Sequence, residues 1–151
     1  MTTTTFTGPI TAGSILDTSG STVGVNVANV GTALLAQIDT SLTQTAAAQA
    51  TNIVVPAGST IVSIKLFVTT AWNGSASTLS IGTSTTATEL ATAVAGGTIG
   101  TVVVAPGADA TRTNNWINVG TSDVMIYIKS ANDGAGVGAI TVDYIQGPNS
   151  V

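Results

Sequence analysis

Apolar and polar positions alternate with a period of two along most of this chain, the spacing of strands that bury one face. The longest such stretch is Thr60–Thr83, TIVSIKLFVTTAWNGSASTLSIGT. Val62, Ile64, Leu66, Val68, Thr70 and Trp72 share one parity, while Ser63, Lys65, Thr69 and Ala71 fall on the other. Asn73-Gly74 follows, a pair that accepts positive φ at low cost and is the strongest short hairpin signal. Leu79 and Ile81 then resume the alternation. The pattern predicts a central antiparallel hairpin with Trp72 on its core face.

Similar but shorter alternations predict strands over Ile10–Leu16, Val23–Val27, Asn52–Val55, Leu90–Val94, Ile99–Val104, Trp116–Val119, Val124–Lys129 and Ala139–Gln146. Leu34, Ile38 and Leu42 are spaced for a helix but also share one strand parity. Asp39, Thr40, Ser41, Thr43 and Thr45 suit a helix interior poorly, which favours a strand over Leu35–Thr45. Ala108–Asn115 (ADATRTNN) reads as a loop holding the only arginine. Roughly eight to ten short strands, punctuated by Gly, Pro, Asn and Asp and with no helix, predict an all-β fold: a two-sheet antiparallel sandwich, jelly roll included, or a closed barrel.

At 151 residues the chain fits one domain, read as a β-sandwich over residues 14–151 behind an extended N-terminal arm at residues 1–13. Hydrophobic residues make up 44% and charged residues only 7%, so Thr, Ser, Asn and Gly must cover the surface. A free monomer ordinarily carries about a quarter of its residues as charges. So low a charge density favours a surface partly occupied by copies of the chain or by a larger assembly, where burying a charge costs several kcal/mol. A secreted β-domain kept soluble by its hydroxyls is the blander reading.

Chemistry is scarce. With no histidine and no cysteine, the commonest general base, the commonest zinc ligand and every thiolate or disulfide site are missing. The plentiful Ser and Thr therefore have no imidazole to activate them. Asp17, Asp39, Asp109, Asp123, Asp133 and Asp143 are scattered, most of them in turn-like settings where Asp bonds local backbone. Asn132-Asp133-Gly134 lacks the spaced ligands of a calcium loop. The glycines of DGAGVGA precede a strand rather than a helix, which makes them a turn and not a phosphate cradle. No enzyme activity, cofactor or metal is expected. Lys65, Arg112 and Lys129 are the only cations against a net charge of −4, too few for a nucleic-acid backbone. No apolar run has membrane-helix length, and no secretory signal pattern opens the chain, which predicts synthesis in the cytoplasm.

Three local features invite a role in contact. Met1–Gly13 is Thr-rich with Phe6 as its one large side chain, either an arm that docks on a neighbour or a frayed end. Trp116 serves either the core or an interface, and Arg112 is either solvated or part of an interfacial ion pair. Lys65 and Lys129 lie on the polar faces of the two most apolar strands, where charge discourages edge-to-edge aggregation.

The phrases NIVVPAGSTIVSIKLFVTTAWNGSASTLSIGTS, NNWINVGTSDVMIYIKSANDG and AITVDYIQ resemble the head decoration, or cement, proteins of tailed bacteriophages. The likeness covers about Asn52–Gln146 and rests on strand-and-turn phrases, without a chemical signature. It implies a β-sandwich or jelly-roll subunit, a homotrimer, bound to the major capsid protein on the outside of the virion. Under that resemblance Thr3, Thr4, Thr5, Phe6 and Pro9 of the arm, with Arg112 and Trp116, are the candidate capsid or subunit interface. A carbohydrate-binding or adhesion module is the rival from another class and requires exposed aromatics. A capsid or tail-tube subunit would require a helix-rich portion.

Overall fold

The structure, a computed structural model, describes residues 34–146. The expected arm and the strands expected over Ile10–Leu16 and Val23–Val27 lie outside the described residues. The strands are β1 (Leu34–Thr43), β2 (Gln49–Val55), β3 (Thr60–Thr70), β4 (Thr78–Gly82), β5 (Ala91–Ala95) and β6 (Gly100–Val104). A helix α1 (Ala110–Ile117) then precedes β7 (Val124–Ser130) and β8 (Val137–Ile145).

Two four-stranded antiparallel sheets face each other, the first ordered β1-β8-β3-β6 and the second β2-β7-β4-β5. Only β4 and β5 are both consecutive in sequence and paired; every other link carries the chain across to the opposite sheet. The all-β sandwich expected from the alternation is therefore present.

Alternation also sets what is buried. β3 turns Ile64, Leu66 and Val68 inward, β8 turns Ile140, Val142 and Tyr144 inward, and β7 contributes Ile126 and Ile128 from the opposite sheet. Burial of each such side chain stabilises by roughly 1.5–3 kcal/mol relative to exposure. Val62 departs from its expected core position: the β3–β8 register shifts between Ile61 and Ser63, so Ile61 goes inside and Val62 is left 48% exposed.

Trp72 plugs the end of the sandwich where β3 finishes and is 2% exposed. Its indole Nε1–H donates to Ser130 Oγ at 2.9 Å, and its backbone N–H donates to Gly96 O at 2.8 Å. The ring has space only because glycines surround it: a Cβ at Gly136 would lie 2.6 Å from Cδ2, at Gly96 3.0 Å, and at Gly138 3.2 Å from Cη2.

This insertion overturns the expected hairpin. β3 pairs with β6 and β8, and β4 pairs with β5 and β7, so the Asn73-Gly74 turn joins strands of opposite sheets. Gly74 does take φ +95°, but Trp72 drives the chain inward and Gln44 holds Asn73 there. Gln44 Oε1 accepts from Asn73 N–H at 2.9 Å, while its Nε2 donates to Asn73 O at 2.6 Å. The amide thus mimics a peptide group of a missing neighbouring strand.

Two more glutamines do the same where β1 and β2 border each other. Gln37 Nε2 donates to Val54 O at 2.7 Å and its Oε1 accepts from Val54 N–H at 3.1 Å. Gln49 Nε2 donates to Ser41 O at 3.0 Å, and its Oε1 accepts from Thr43 N–H at 3.2 Å. Asp39, buried at the β1 bulge, accepts from Asn52 N–H at 2.7 Å. Asp39 also accepts from Ser41 N–H at 2.8 Å, so within the strand expected over Leu35–Thr45 it bonds local backbone and the neighbouring edge together.

Replacing Gly136 with Ala is expected to destabilise the protein by about 1–3 kcal/mol, as overpacking against a rigid ring does. The urea midpoint measures it, and an unchanged midpoint would show that the indole is free to move aside.

Candidate interaction surface

Because β-strand partners share a face, the register identifies the outer surface of the first sheet row by row. Ile38, Thr141, Lys65 and Val103 form one row across all four strands. Ala36, Asp143 and Ser63 form the next, and Leu34, Ile145 and Thr60 the one beyond. On the other side of Lys65 lie Ala139, Phe67 and Thr101.

A small polar group occupies the middle of this face. Lys65 Nζ lies 3.6 Å from Asp143 Oδ2, which also accepts from Ser63 Oγ at 2.7 Å. Large apolar side chains flank it: Val103 is 72% exposed, Leu34 59% and Ile38 57%, with Val137 at the far end also exposed. Exposed singly, such residues need no explanation; gathered on one face they form a mosaic of apolar and polar groups that makes this face the candidate for contact.

The placement of Lys65 corrects the gatekeeping expectation. Both β3 and β7 are interior strands, so Lys65 and Lys129 charge the centres of the two outer faces and protect no edge. Edge strand β6 carries Val102, Val103 and Val104 and no charge.

Arg112 and Trp116 sit on α1, where the sequence predicted a loop followed by a strand over Trp116–Val119. Asp109 caps the helix: its carboxylate accepts from Arg112 N–H at 2.9 Å, satisfying a donor that the first turn leaves free. Three helix side chains then hold three consecutive carbonyls. Arg112 Nε donates to Thr88 O at 3.2 Å, Asn115 Nδ2 to Glu89 O at 2.9 Å and Trp116 Nε1 to Leu90 O at 3.0 Å. The half-buried Trp116 ring packs against the core. Arg112 and Trp116 therefore anchor the β4–β5 connection, while Thr3, Thr4, Thr5, Phe6 and Pro9 lie outside the described residues.

The anchored connection has its own centre in Glu89, a residue that sequence reasoning missed. Its carboxylate accepts from the Ser84 and Thr86 hydroxyls, from Thr83 N–H at 3.1 Å and from Thr88 N–H at 3.0 Å. A Cβ at Gly82 would overlap it. The run STTATE carries the signal, with hydroxyls and backbone donors ahead of a lone Glu. Burial raises the Glu89 pKa, but these hydrogen bonds outweigh it and bring the group down to about 2.

Among the described residues no cluster of three or more His, Cys, Asp or Glu could hold a metal ion, and no helix is long and apolar enough to cross a membrane. Comparison with protein-family models, with characterised proteins and with solved structures returns no match.

Since the folded pKa of Glu89 lies below its ordinary 4.5, its contribution is complete above that pH and declines as the pH falls toward about 2. Allowing for solvent screening at a partly exposed group, about 1–2 kcal/mol of stability is expected to disappear over that interval. Glu89→Gln should flatten this part of the stability profile, measured by urea denaturation at stepped pH, while leaving the smaller contributions of Asp39 and Asp109, whose pKa values are also lowered.

Proposed function

We propose that this chain is a structural subunit of a virion: a decoration, or cement, protein that binds the major capsid protein on the outer surface of a bacteriophage head, assembles as a homotrimer and strengthens the joints between capsomers. The observation that carries this reading is the outer face of the first sheet, where Leu34, Ile38 and Val103 are exposed around the Lys65–Asp143 pair. Its support in the sequence is the resemblance of the strand-and-turn phrases between Asn52 and Gln146, together with the 7% charge content. The strand orders β1-β8-β3-β6 and β2-β7-β4-β5 favour the jelly-roll form of sandwich. In this proposal the Thr-rich residues 1–13 lie along the shell or a neighbouring subunit.

Purified protein is expected to sediment as a trimer and to cosediment with expanded, undecorated heads. Ile38→Asp combined with Val103→Asp should weaken that assembly or binding by about tenfold or more, since each carboxylate would have to be desolvated at a contact. Both positions are exposed, so the thermal midpoint should change little. A monomer that ignores heads overturns the proposal; a doubly substituted chain that assembles and binds normally removes this face from it.

A further inference from the structure

A concave feature lies on the opposite side of the molecule, on the outer face of the second sheet. It is a shallow trough of about 350 Å³ whose walls carry the hydroxyls of Thr78, Ser80, Thr86, Thr88 and Thr92 and the ammonium of Lys129. An irregularity in β5 opens it. Leu79 pairs with Val94 and Ile81 with Ala91, so Thr92 and Ala93 together stand opposite Ser80 and both turn outward. To do so Ala93 adopts φ +55°, the left-handed region that an L-residue enters at a cost of about 1–2 kcal/mol. Ala87, buried in the adjoining connection, adopts φ +54°. No other described non-glycine residue has positive φ. Backbone strain is thus concentrated on the walls of this trough and directly behind it.

The polar groups there have unused capacity. Among the described residues, the ion pairs belong to Lys65 and Arg112, which leaves Lys129 without a carboxylate. Ser80 Oγ contacts only Lys129 O, at 3.3 Å, and keeps its lone pairs for another donor. The Thr86 hydroxyl donates to Glu89, so it meets a ligand as an acceptor. Beside these hydroxyls the lining includes the methyl groups of Ala93 and Ala131.

We propose that this trough binds a sugar that carries a carboxylate, such as a uronic acid residue of a polysaccharide. Several hydroxyls with mixed donor and acceptor roles match the vicinal hydroxyls of a pyranose, and the free ammonium of Lys129 takes its carboxylate in a charge-assisted hydrogen bond. A hydrated anion alone would use the lysine and leave the hydroxyl walls without purpose, and a neutral sugar would leave the lysine unpaired. Tyr127 lies on the same face two residues along β7, within reach of a second ring of an oligosaccharide. This binding goes beyond the assembly proposed above and does not depend on it.

The experiment is a titration of the intact, isotope-labelled chain with methyl β-D-glucuronide, followed by amide chemical shifts, beside methyl β-D-glucoside and acetate. Saturable shifts are expected at Thr78, Ser80, Thr92 and Lys129, in the millimolar range usual for one sugar ring, with the glucoside about tenfold weaker or more and acetate not reproducing the pattern. Lys129→Gln should abolish the preference for glucuronide over glucoside, and Thr92→Val should weaken both; both positions are exposed, and the amide spectrum itself reports whether each variant is folded. Shifts that do not saturate or lie elsewhere, equal binding of the neutral sugar, the same response to acetate, or a preference that survives Lys129→Gln would each overturn the proposal.

Discussion

An indole held between glycines governs how this sandwich closes. Trp72 needs a volume that no side chain at positions 96, 136 or 138 leaves free, and it needs a partner for its N–H, which Ser130 supplies from the second sheet. The ring therefore joins the end of β3, the approach to β6, the end of β7 and the start of β8. A fold that crosses between sheets at nearly every link has its ends exposed to water, and a large, specifically bonded side chain is an effective seal.

Side-chain amides perform the corresponding task along one side. Gln37, Gln44 and Gln49 each offer a donor and an acceptor to one stretch of backbone, replacing the strand that an edge lacks. A neutral amide does this without the desolvation cost of a charged pair, which fits a chain with only 7% charged residues. No comparable side chain bonds the backbone of β6 among the described residues, so the two lateral edges of the first sheet differ: β1 is stitched, while β6 is valine-rich and open.

The few ionised groups are used mainly for architecture. Glu89 organises the β4–β5 connection, Asp109 starts α1, and Asp39 ties β1 to β2. The outer face of the first sheet is a mosaic of apolar and polar groups and that of the second holds a hydroxyl-lined hollow, two surfaces of opposite character. Large apolar groups on the first face suit permanent burial. Small polar groups on the second suit reversible contact with a hydrated ligand.

The all-β class, the inward faces of β3, β7 and β8 and the buried place of Trp72 were legible in the sequence, because alternation of period two records burial directly. The same alternation says nothing about which strand lies beside which, and so Asn73-Gly74 read as a hairpin although its flanking strands belong to different sheets. Helix α1 was hidden because its two Thr and two Asn give it little intrinsic propensity; it is held by the Asp109 cap and by the carbonyls of residues 88–90 that its side chains reach. The mosaic face and the trough were equally invisible. Ile38 and Val103 are far apart in the chain and meet in one row only through β8 and β3, and the trough depends on a bulge in β5 and on Lys129 from β7. Local periodicity marked the buried faces of β7, β8 and most of β3, whereas bulges and long-range pairing, which no local pattern encodes, decided where Val62, Leu34 and Ile38 point and what the surface brings together.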